Sequence, residues 1–193
     1  MQKNIILAGV GGQGILTIAT IIGYAALKDD LRLKQAEVHG MSQRGGDVQS
    51  HLRYSDKEIF SDLIPEGKAD LVLSVEPMEA LRYLPYLSEE GWLITNTKPF
   101  VNIPNYPDKE KIYDEIKKLP HKVMIDADKI ARELNSVRSM NIVMLGAAAE
   151  FLGLEYKHLE EGIKFKFQHK SDKIIETNIK ALKQGFEFTQ ANK

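Results

Sequence analysis

Three glycines early in the chain are spaced to receive a phosphate. Gly9, Gly11 and Gly14, within GVGGQG (9–14), follow a short apolar run and precede a long helical pattern. In that order of strand, turn and helix, main-chain amides converge on an anion and glycine lets them come close. Gly12 and Gln13 complete the loop, and all five residues are candidate cofactor contacts. The same glycines also suit close packing of a strand on a helix. Contact with an anion or a partner is favoured over that plain reading, and a bound NAD is placed after both. A dinucleotide would require an acidic residue about 20 positions on, at the tip of the second strand. Asp29 and Asp30 have that spacing but fall at the end of the helical pattern, and Glu37 comes late.

The second loop of interest is HGMSQRGG (39–46), which follows a strand-like segment. The Arg44 guanidinium, beside Gly45 and Gly46, has the geometry to bind a phosphate or carboxylate through two parallel hydrogen bonds. The His39 imidazole titrates near neutrality and is suited to proton transfer. His39 and Arg44 are therefore the candidate catalytic residues, with Gly45 and Gly46 joining the cofactor-binding set. For His39 alone the plainer reading, a satisfied loop histidine, is preferred; for Arg44, recognition is preferred over pairing with Asp47 or Glu37.

These loops need a scaffold. Residues 4–8 form a continuous apolar run, as in a strand buried on both faces, and residues 15–28 carry apolar side chains at helical spacing. Segments 33–40, 70–76, 91–97 and 122–127 read as further strands. Segment 48–64 alternates around the polar turn SDKE and reads as a hairpin. Pro77 is placed to open a helix, and Asp126 to cap one that contains Ile130 and Leu134. Beyond 126 the pattern is helical, with 141–153 apolar nearly all round and Ile175, Ile179, Leu182 and Phe186 on one face of a last helix. Residues 99–109, rich in proline, read as a surface excursion. The expected architecture is one α/β domain over 1–193: Rossmann-like, with a mostly parallel sheet, an antiparallel hairpin and a helical C-terminal region. Loops after parallel strands gather at one sheet edge, which adds Glu76, Asn96 and Lys98 as secondary contacts. Glu76 is expected to serve mainly as a carboxylate at a helix N-terminus.

Composition narrows the chemistry. Lys and Arg total 26 against 27 Asp and Glu, a net charge of -1 that gives no general attraction to nucleic acid or an anionic membrane. No apolar run reaches the ~18 residues of a membrane span and no signal peptide is visible, so a cytoplasmic location is expected. The five histidines have no compact metal-ligand spacing, and no metal site is expected. With no cysteine, the chain offers no thiolate for a nucleophile or an iron–sulfur cluster.

GVGGQG followed by EVHGMSQRGGDVQSHLR resembles the gamma-type subunit or domain of the 2-oxoacid:ferredoxin oxidoreductases. SDLIPEGKADLVLSVEPMEALRYLPYL is most similar to the small (beta) subunit of the branch that oxidises indolepyruvate. The likeness runs from residue 3 into the final helices. It implies oxidative decarboxylation of a 2-oxoacid on thiamine diphosphate, with coenzyme A taking the acyl group and electrons passing through iron–sulfur clusters to ferredoxin. No G-D-G segment with a following N-N is present, and Gly46-Asp47-Val48 is not one. The resemblance therefore implies that thiamine diphosphate, Mg and the clusters sit on a large (alpha) partner subunit and that this chain holds no cofactor alone. It would be inactive by itself, meeting ferredoxin only indirectly. Subunits serving 2-oxoglutarate or other 2-oxoacids share the loops, so the acid stays open. An independent NAD(P)-binding oxidoreductase is the other reading, and a noncatalytic sensing or scaffold module ranks third.

Overall fold

The computed structural model describes residues 1–39, 45–101 and 103–193, with His39 described by its backbone alone. β1 (Gln2–Val10) lies at the centre of the sheet because Ile5, Ile6, Leu7 and Ala8 are all buried, leaving neither face to solvent. The other strands are β2 (Arg32–His39), β3 (Asp47–Ser55), β4 (Ala69–Ser74), β5 (Leu87–Asn96) and β6 (Lys122–Ile125), in the spatial order β2-β3-β1-β4-β5-β6. β1, β4, β5 and β6 pair in parallel, whereas β3 runs antiparallel to both of its neighbours. The sheet is thus mixed and mainly parallel, as the pattern of elements implies.

Helices cover both faces. Against one pack α1 (Ile15–Lys28), α4 (Ala127–Glu133), α5 (Met140–Leu152), α6 (Tyr156–Lys166) and α7 (Asp172–Asn192), whose apolar residues form the larger core. The smaller core, on the opposite face, gathers Ile6, Val72 and Leu93 of the sheet with Ala80 of α2 (Pro77–Arg82) and Ile112 and Ile116 of α3 (Lys109–Lys117). Pro77 does open α2, and the Asp126 carboxylate accepts from Lys129 N at 2.8 Å to cap α4. α5 is buried from Asn141 through Ala149, as expected of a helix without a polar face. It touches α7 at bare backbone: a Cβ on Gly146 would lie 2.0 Å from the Leu182 carbonyl oxygen, and one on Gly185 2.0 Å from that of Val143. Thr189 completes the contact by donating its hydroxyl to Ala147 O at 2.9 Å.

One expectation is corrected. The hairpin is formed by β2 and β3, with Gln35 opposite Leu52 and Arg32 opposite Ser55, and is not folded around SDKE. β3 stops at Ser55, and the chain turns back along it: Arg53 Nη1 donates to Ser61 O at 2.8 Å and Leu63 O at 3.0 Å, and Ile64 N donates to His51 Nδ1 at 3.0 Å. Residues 59–64 form no ladder because β2 and β1 already take both edges of β3. Among the described residues no helix is long and apolar enough to cross a membrane.

Candidate functional site

Because β3 is antiparallel to β1 and β2, its first residues lie at the sheet edge reached by the C-terminal ends of both. The two glycine segments meet there through main chain. Gly11 N donates to Gly46 O at 2.8 Å, and Gly45 N to Gly11 O at 3.4 Å. The sequence separates them by more than thirty positions; antiparallel pairing of Val10 with Asp47 brings them into contact.

Within GVGGQG the residues divide the work. Gly14 caps α1 at φ 84°, a left-handed conformation that favours glycine, and its carbonyl accepts from Asn141 Nδ2 at 3.1 Å. Gln13 closes the turn on itself: its amide donates to Val10 O at 3.1 Å, and its side-chain oxygen accepts from Val10 N at 2.8 Å. Gly9 packs on Val75, leaving no room for a side chain. Gly12 stands open, at φ 101° with no atom within 4 Å of where a Cβ would be. Among the described residues no side chain caps α1, whereas Glu76, Asp108 and Asp126 cap α2, α3 and α4. Two of the motif glycines therefore serve packing, and Gly12 with the uncapped start of α1 leaves backbone open at the sheet edge.

Two cavities border the loop. One of about 270 Å³ is lined by Val10, Gly11, Gly12, Ile15, Leu16 and Val48. The other, a groove of about 670 Å³, runs from Gly12, Gln13 and Gly14 past Asn141 to Arg138 and Lys170. Arg138 and Lys170 are exposed, and among the described residues neither side chain has a hydrogen-bond or ion-pair partner. A trough that pairs a glycine turn with two unpaired cations has the charge and shape for a phosphorylated ligand. Arg138, Lys170 and Asn141 were not legible as site residues in the sequence. Arg138 sits in a 3₁₀ turn and Lys170 between α6 and α7, and packing of α5 and α7 carries them to the glycine edge.

The remaining candidates fall as follows. His39 ends β2 opposite Val48, so its backbone is at the same edge, but its side chain and Arg44 lie outside the described residues. Glu76 is wholly buried and committed to structure: its carboxylate accepts from Glu79 N at 2.9 Å, Phe100 N at 3.2 Å and the Tyr106 hydroxyl. Asn96 knits β5 to α4, accepting from Ala127 N at 3.2 Å and donating to Asp128 Oδ2 at 2.8 Å. Lys98 is exposed. Asp29 caps the end of α1 and accepts from Glu155 N at 3.0 Å, which removes it as a ribose ligand.

Topology bears on the dinucleotide reading directly. A ribose-binding acid belongs at the tip of the second strand, lying parallel beside β1, but β2 is not β1's neighbour, and on that side of β1 the place is held by antiparallel β3, which begins there with Asp47. The Asp47 carboxylate is already engaged by the Tyr83 hydroxyl at 2.6 Å. Among the described residues no group of three or more histidine or carboxylate side chains is placed to hold a metal ion.

The family model for pyruvate ferredoxin/flavodoxin oxidoreductase matches residues 4–188. Indolepyruvate oxidoreductase subunit IorB of Pyrococcus horikoshii is 39% identical, over 95% of this chain and 94% of its own. The common gamma subunit of the pyruvate/ketoisovalerate oxidoreductases of Pyrococcus furiosus is 31% identical, over 94% of each. Among solved structures, the 2-oxoglutarate:ferredoxin oxidoreductase of Magnetococcus marinus, with 2-oxoglutarate, coenzyme A and succinyl-CoA bound, superposes with a TM-score of 0.80 at 20% identity, a likeness of fold. All of this chain is covered in that comparison, but only 32% of the longer one.

Proposed function

The chain belongs to the pyruvate ferredoxin/flavodoxin oxidoreductase family, and from that premise we infer that it is the small subunit of a 2-oxoacid:ferredoxin oxidoreductase complex. Its 2-oxoacid is an arylpyruvate such as indolepyruvate, a reading supported by the higher identity to the IorB subunit than to the pyruvate/ketoisovalerate subunit. The observation that carries the site assignment is the main-chain tie between Gly11 and Gly46, which makes one edge of two loops beside a groove bearing Arg138 and Lys170. That edge is suited to a cosubstrate with a phosphate-rich head and a long arm, and coenzyme A is such a molecule. This chain's residues would bind and orient it, with Arg44 adding a further cation.

Electron transfer needs cluster ligands, and a chain without cysteine supplies no thiolate for them. Thiamine diphosphate, with its Mg, and the clusters therefore belong to a larger partner, through which electrons reach ferredoxin. Phe100, Val137, Ile174 and Leu16, all exposed, border the cavities at the glycine edge and form an apolar rim that supports docking there.

The test is reconstitution with the large subunit. The complex should oxidise indolepyruvate in preference to 2-oxoglutarate, with coenzyme A consumed and a ferredoxin reduced. Arg138→Ala combined with Lys170→Ala should raise the KM for coenzyme A about tenfold, roughly 1.4 kcal/mol, with kcat little changed. An unchanged KM would remove the groove from the site. Tight dinucleotide binding by the isolated chain would favour the NAD(P) reading instead.

A further inference from the structure

Beside the glycine edge, α2 turns an acid inward. The Glu79 side chain is only 2% exposed and is held by Arg82, whose Nε donates to Oε2 at 2.7 Å. Asp47, at the start of β3, is held against the end of α2 by the Tyr83 hydroxyl, and its charge and hydrogen bonding act on the Glu79 carboxyl. Asp47 Oδ2 accepts from the Tyr83 hydroxyl at 2.6 Å, but its Oδ1 is buried without a hydrogen-bond partner among the described residues. Two neighbouring carboxylates, one buried and one partly buried, repel each other if both are ionised, and the guanidinium beside them is half exposed and screened. A proton on Glu79 removes the repulsion and supplies the one donor the orphaned oxygen needs.

We propose that Glu79 and Asp47 hold a single proton between them, Glu79 donating to Asp47 Oδ1, and that this shared proton latches the start of β3, and with it the Gly46–Gly11 tie, onto α2. Glu79 is the protonated member because it is the more deeply buried, whereas Asp47 already has the Tyr83 hydroxyl to stabilise its charge. Burial, reinforced by the Asp47 charge and opposed by Arg82, raises the Glu79 carboxyl to about 7. Arg82 of α2, Tyr83 just beyond it and Asp47 of β3 are the charged and titratable groups that bear on it, and the Glu76 carboxylate at the start of α2 accepts from the Glu79 amide at 2.9 Å. α3, β1, β4 and β5, which also pack on α2, contribute none of the principal influences. Asp47 directly follows Gly46, whose carbonyl receives the Gly11 amide. Loss of the proton makes the contact repulsive, and Asp47, only partly buried at the first position of β3, is the side that yields. The glycine edge is therefore drawn tight below neutral pH and loosened above it, whatever ligand it takes.

Carbon-detected NMR titration of the full chain reads the carboxyls, and amide hydrogen exchange reads the tie. The Glu79 carboxyl should titrate near 7. Protection of the Gly11 amide, corrected for intrinsic exchange, should fall about tenfold between about pH 6 and about pH 8. Glu79→Gln keeps the size and supplies a permanent N–H donor, so its Gly11 protection should not change with pH. Asp47→Asn should move the Glu79 midpoint down. A Glu79 carboxyl that titrates in the ordinary range, or a Glu79→Gln chain with the wild-type pH dependence, would overturn the proposal. The wild-type titration alone decides it if either variant does not fold.

Discussion

His51 carries a second proton-linked contact, of opposite sign. It is buried on β3, and its Nδ1 accepts from Ile64 N at 3.0 Å, so the ring must be neutral at that nitrogen. Burial is the main influence holding its pKa below 6.5. The stabilisation it gives is present above 6.5 and is lost as pH falls toward the lower folded value, because the unfolded state then binds the proton more readily. Denaturant midpoints at about pH 7.5 and about pH 5.5 should show a wild-type loss of about 1 kcal/mol that is absent in His51→Asn, whose amide oxygen can receive the same bond. An identical slope in the variant would detach the effect from this ring. At this scale the sequence was informative where chemistry is local: GVGGQG and the capping roles of Glu76 and Asp126 were readable because each acts within a few residues of itself. Arg138 and Lys170 were not, because nothing in their immediate surroundings differs from any other exposed cation until α5 and α7 pack.

At the scale of elements, alternation reveals a strand but not its partner. VQSHLRYS was recognisable as extended chain, yet its place between β1 and β2 depends on pairings with residues far away in sequence. The apolar run of α5 was readable for the opposite reason, since a helix with no polar face has nowhere to lie except inside. How closely α5 meets α7 is set by Gly146 and Gly185, each facing the other helix's carbonyls. Gly146→Ala gains up to about 1 kcal/mol in helix propensity. It also drives a methyl to 2.0 Å from the Leu182 carbonyl oxygen, which only separation of the helices can relieve. Overpacking of this kind costs about 1–3 kcal/mol, and separating helices should put it at the upper end. A calorimetric scan should record a Tm lower by roughly 2–6 °C; an unchanged or higher Tm would show that the contact gives way freely.

For the molecule as a whole, the near balance of charge limits how a partner can be drawn in. A net charge of -1 gives little long-range steering, so association with a large subunit should rest on the apolar rim at the glycine edge. Val137, 61% exposed on its 3₁₀ turn, is a clear test. Val137→Asp should weaken binding to the large subunit about tenfold by titration calorimetry while leaving Tm within a degree or two, since the site is already in water in the free chain. Undiminished binding would move the docking face elsewhere. The tie between Gly11 and Gly46 has a bearing on descent as well as on chemistry. Only peptide groups take part, so the junction is indifferent to most changes in the side chains around it. Those side chains can be exchanged while the bond that joins the two loops is kept.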